Sequence, residues 1–130
     1  MNWTQLLKNP EAIAQIFGSA PSLEQVKIAE IVFHEDGPRL LLRFDVTTFP
    51  TNPPEKWLKG GFNQAQLRLM CLGVRSVTQR GWGTTNRVDI DLSVDEPNRI
   101  RLITRNGQLQ LDALFDILVV DGVTAYRNDA

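Results

Sequence analysis

The chain has 130 residues, 42% of them apolar, with 14 basic side chains against 15 acidic ones. That length fits a single domain with one core over 1–130, and the charge balance speaks against a nucleic-acid binder, which carries a basic stripe. One cysteine leaves no internal disulfide, the longest apolar runs are too short to span a bilayer, and the start MNWTQLLKNP lacks the layout of a secretory signal. The expected compartment is therefore the cytoplasm, with no membrane partner.

Residues 1–20 read as the helical part. Asn9 is placed to cap a helix that starts at Pro10, where the missing N–H costs nothing. Ala12, Ile13, Ile16 and Phe17 follow at helical spacing, Gly18 suits a left-handed C′ position, and Pro21 stops the helix. Trp3, Leu6 and Leu7 suggest a short earlier turn on the same apolar side. From 24 to 126 the period is that of strands.

Strands are expected over about 25–34 and 39–48, joined at Asp36-Gly37. This turn sets Phe33 opposite Leu40, Ile31 opposite Leu42 and Ala29 opposite Phe44, with Glu30 beside Arg43 on the other face. FPTNPPEKW comes next. Pro50, Pro53 and Pro54 fix φ, hold their predecessors extended and cannot donate to a ladder, so the stretch reads as a rigid strap anchored by Trp57. In QAQLRLMCLGVRSVTQ, Leu67, Leu69 and Cys71 share one face, and Gly73 marks a bulge or tight turn. RGWGTTN is a loop.

RVDIDLSV, NRIRLITR and QLQLDALFDILVV predict a three-stranded antiparallel meander over 87–120. A turn at Asp95, Glu96 and Pro97 pairs Ile90 with Leu102 and Leu92 with Ile100. An Asn106-Gly107 turn pairs Leu102 with Leu111 and Ile100 with Ala113. Val123 and Tyr126 close the last strand. The fold class is α+β: a short N-terminal helical segment on a curved, mostly antiparallel sheet, meander-like and curved in the direction of a barrel.

No catalytic constellation stands out. Asp89 and Asp91 are a carboxylate pair, but the expected register sets Arg101 between Asp91 and Asp112, which is a cross-strand charge ladder. His34 is the single histidine, and Cys71 lies on an apolar face, where a free thiol acts as a small hydrophobe; nothing in the pattern joins the two. The glycines in KGGFN and RGWGTTN lack phosphate-cradle spacing. No metal or organic cofactor is expected, and no enzymatic activity. The tryptophans Trp3, Trp57 and Trp82 are either interface anchors or plugs at the ends of the sheet. Trp57 and Trp82 are also the candidates for the mouth of a pocket, should the concave face hold a small molecule.

Trp3, then NP, IFGSAPSL at 16–23, GPRLLLRF, PPEKW, LRLMCLGV and RGW occur in an order and spacing that resembles the immunity protein 50 family. The resemblance covers nearly the whole chain, with PPEKW its most specific element. It implies a small α+β protein of bacterial polymorphic toxin systems that neutralises a cognate toxin by binding it. It brings no catalytic residues and does not place the inhibitory surface. The most visible local charge excess, Asp89, Asp91, Asp95 and Glu96, is the candidate rim of a partner-binding patch, although a solvated sheet face accounts for each of these residues as simply.

Overall fold

The structure is a computed structural model that describes residues 2–95 and 97–129. A 3-10 turn over Trp3–Leu6 and helix α1 (Glu11–Phe17) precede the strands β1 (Val26–His34) and β2 (Arg39–Asp45). A one-turn helix α2 (Glu55–Lys59) leads into β3 (Gln64–Leu72), β4 (Ser76–Arg80), β5 (Asn86–Asp95), β6 (Arg99–Arg105), β7 (Gln110–Phe115) and β8 (Ile117–Tyr126). The strands form one sheet in the order β4-β7-β6-β5-β1-β2-β3-β8, every pairing antiparallel. The sheet is not closed into a barrel, so the α+β reading holds and the curvature stops short of closure.

The curvature has two sources. β3 and β4 are one run of chain bent at Gly73–Arg75, where Gly73 takes φ 67°. β7 and β8 are another run, bent at Asp116. Arg75 N–H donates to Leu114 O at 2.7 Å and Asp116 N–H to Leu72 O at 3.0 Å, so the two bends stack. The Arg75–Asp116 ion pair at 2.9 Å sits over the corner. QLQLDALFDILVV is thus two strands rather than one. Leu111, Ala113 and Phe115 face inward, then Leu118 and Val120, and the change of parity falls at Asp116.

The second bend is in β1. Ile28 pairs with Phe44 and Glu30 with Arg43, which leaves Ala29 as an unpaired bulge residue. The expected pairs Phe33–Leu40, Ile31–Leu42 and Glu30–Arg43 are present, but Ala29 does not face Phe44. The bulge switches parity, so Val26 and Ile28 join the core on the same side as Ile31.

The meander is present with different partners. Leu102 pairs with Leu92 and Ala113, not with Ile90 and Leu111. Both registers slip by two residues because both turns sit further along the chain. β5 runs on to Asp95, which pairs with Arg99, and Asn98 takes the left-handed φ of 56°. After β6, Thr104 Oγ1 donates to Leu109 O at 3.0 Å and accepts from Leu111 N–H at 2.9 Å, which stabilises a longer connection than the expected Asn106-Gly107 turn. A two-residue slip keeps every side chain on its face, so the core assignment survives. Arg101 accordingly bridges Asp95 (3.0 Å) and Asp112 (2.8 Å), while Asp91 pairs with Arg105 (3.3 Å).

The core is one cluster. Phe44, Leu67, Leu69, Leu102, Phe115 and Leu118 are among its largest strand contributors, and Ile13 of α1 is buried against it. Trp57 lies in the same cluster, with its ring centroid 5.8 Å from that of Phe49. The proline strap is therefore anchored by Trp57 as expected, but through α2, which begins just after Pro54. Asn9 does not cap α1, whose N-cap is Pro10 with no side-chain bond. Its amide instead closes on Val120 at the edge of β8, beside a bridge between Leu7 and Leu118. No helix among the described residues is long and apolar enough to cross a membrane.

Candidate partner-binding site

β5 accompanies β1 only from Val26 to Ile28. Beyond the bulge, β1 keeps β2 on one side and, among the described residues, has no strand on the other. Ile31 and Phe33 point to the core side here, but they run past the core's end. Phe33 is 55% exposed, although its partner Leu40 is fully buried.

Trp82 stands over this open end, on the loop between β4 and β5. Two features fix the loop. The buried Asn86 side chain accepts from Gly83 N–H at 2.8 Å and donates to Gly83 O at 3.0 Å, forming a two-pronged brace. Gly81, at φ 81°, lets the backbone pass so close to Gln108 O that a Cβ would collide with it. The indole is thus presented by a held loop while remaining 51% exposed. Ile31, Phe33, Trp82 and Gln79 of β4 together line a cleft of about 130 Å³.

Two large aromatic side chains, each about half exposed and adjoining on a braced frame, are what an interface anchor requires. The cleft is smaller than the hundreds of Å³ typical of small-molecule sites. The concave side of the sheet, where a small ligand was the alternative expectation, is occupied by Leu42, Leu69, Leu102 and Phe115. A second apolar row, Val32, Leu41, Met70 and Val119, crosses the outer face of β1, β2, β3 and β8. Leu41 and Met70 are already buried to 8% and 9% exposure, so that row has less area left to give a partner.

The sequence-predicted residues fall elsewhere, except Trp82. Trp57 is buried in the core and lines no mouth. Asp89, Asp91 and Asp95 lie on the outward side of β5, away from the cleft, and Glu96 lies outside the described residues. Each of the three holds groups of this chain. Asp89 accepts from Gln25 N–H at 2.8 Å and from Asn106 Nδ2 at 2.7 Å. The Asn106 bond, then the Gln25 backbone bond, holds its carboxyl below the usual carboxylate range. Asp91 and Asp95 are in the ion pairs with Arg105 and Arg101. Phe33, Ile31 and Gln79 were missed as site residues. The apolar parity of Phe33 was legible, but its exposure follows from the departure of β5, which no local signal announces.

Groups with other chemistry lie apart. Cys71 faces the core, and burial pushes its thiol up to about 12. His34 sits on the opposite face of the sheet, since its partner Arg39 is one residue out of step with Leu40, the partner of Cys71. Among the described residues no three His, Cys, Asp or Glu side chains gather as a metal-ligand set. A search of curated proteins and a search of solved structures each find no match. The family model described as immunity protein 50 matches residues 9–126, nearly the full length, and the chain belongs to that family.

Proposed function

We propose that this chain neutralises a bacterial toxin by direct one-to-one binding, without turning over a substrate, and that it does so in the cytoplasm of the producing cell. The family supports the role. The observation that carries the site is the exposed pair Phe33 and Trp82 on its braced loop. Neutralisation needs affinity, and affinity is concentrated in a few aromatic anchors that lose water on docking. The acidic residues Asp89, Asp91, Asp95 and Glu96 enter this reading only as a local charge excess in the sequence that would favour a basic partner. The weight falls on the aromatics, because Asp89, Asp91 and Asp95 already hold partners of their own.

Co-expression with the protein encoded beside it tests the role. Survival of cells that the neighbour alone kills, together with a one-to-one complex on a sizing column, is the expected outcome. A neighbour that is harmless, or that ignores this chain, would sink the proposal.

A further inference from the structure

We infer that the partner presents an extended segment with apolar residues on one side and a carboxylate on the other, which adds as a ninth strand to the free edge of β4. The inference rests on the cleft being the binding site. β4 pairs with β7 along its whole length, Ser76 with Leu114 through Arg80 with Gln110. It is an end strand of the sheet, so among the described residues its other edge has no strand opposite. The equivalent edge at the far end of the sheet is covered over residues 118–120: Leu7 bridges Leu118, Lys8 N–H donates to Leu118 O at 2.9 Å, and Asn9 clamps Val120. An open edge presents a row of backbone donors and acceptors that only another extended backbone satisfies along its length.

The side chains state the occupant's chemistry. Gln79 lies on the side of β4 that lines the cleft, beside Phe33 and Trp82. An added strand would set alternate residues over these rings, and apolar ones suit them. Thr78 and Arg80 lie on the other side of β4, where both line a groove on the outer face. Arg80 is exposed and forms no ion pair among the described residues, and β4 contains no acidic residue. The residue of the added strand set beside Arg80 therefore faces a guanidinium without an ion pair, in a groove it shares with Arg105 and Asp112, and a carboxylate there complements it. A second copy of this chain does not supply one, since β4 holds no acidic residue to set beside Arg80.

The test is amide hydrogen exchange on the full chain, alone and mixed with the polypeptide encoded beside it. Strand addition predicts that exchange slows across residues 76–80, and that Arg80→Glu weakens the complex by about tenfold or more, as reversing a charge at a complementary contact does. A complex that protects other segments while 76–80 exchange as in the free protein overturns strand addition but leaves the neutralisation reading standing. If no complex forms, both are overturned.

Discussion

Asn9 holds Val120 with both ends of its amide: Nδ2 donates to the carbonyl and Oδ1 accepts from the N–H, each at 2.9 Å. The two residues are 111 positions apart, and their contact occupies the outer edge of β8 at Val120, where another chain would otherwise pair. The opposite edge, β4, lies beside two exposed aromatics instead. This asymmetry is the strongest structural argument for where a partner docks.

The clamp makes a prediction that a helix cap does not. Asn9→Ala removes two bonds to partly buried backbone and should cost about 1–3 kcal/mol in a denaturant titration. Asn9→Asp retains a good capping residue but loses the donor to Val120 O, and should also destabilise. An Asp variant as stable as the parent would mean that Asn9 serves α1 rather than β8.

Trp57 and Trp82 should separate cleanly. Trp57 is 8% exposed and packed in the core, so Trp57→Ala is expected to cost about 3–5 kcal/mol. Trp82 is 51% exposed, and Trp82→Ala should change stability by about 0.5 kcal/mol or less. Equal losses in the two unfolding curves would contradict the assignment of one to the core and the other to a surface.

Tyr126 is the only tyrosine, so an ultraviolet alkaline titration reports on it alone. Burial, then its hydrogen bond to Asp45, pushes the phenol up to about 12. The sign follows from linkage. The folded-state value lies above the unfolded one, so this stabilisation is fully present below the ordinary tyrosine range near 10 and fades as pH rises through about 12. The phenolate absorbance should therefore appear near pH 12 in the folded protein. A midpoint near 10 would mean that the Tyr126–Asp45 contact does not form in solution.

The faces of the strands were legible in the sequence, and their partners less so. Leu67, Leu69 and Cys71, or Leu111 and Ala113, declare their side by alternation alone, since one face must be buried. Register depends on which residue takes the turn. Asn98 takes the positive φ beyond the expected Asp95, Glu96 and Pro97 turn, and each two-residue slip was invisible to the apolar pattern. The bulge at Ala29 was illegible for a related reason. With Val26 and Ile28 on one parity and Ile31 and Phe33 on the other, the sequence fits two faces as well as one interrupted face. The candidate site depends on that bulge, because it is where β5 leaves β1 and the cleft opens. Trp82 was legible as a loop aromatic. Its neighbours Phe33 and Gln79 come from distant segments, and only the fold brings them together.

The central claim is that neutralisation acts through the Phe33–Trp82 face, and the most direct measurement is the affinity of the neighbouring gene's product for the parent chain and for Phe33→Ala and Trp82→Ala. Both side chains are largely outside the core, so both variants should fold. Each should weaken binding by about thirtyfold or more, the loss expected of an anchor worth roughly 2 kcal/mol. Two folded variants that bind as tightly as the parent would contradict the account.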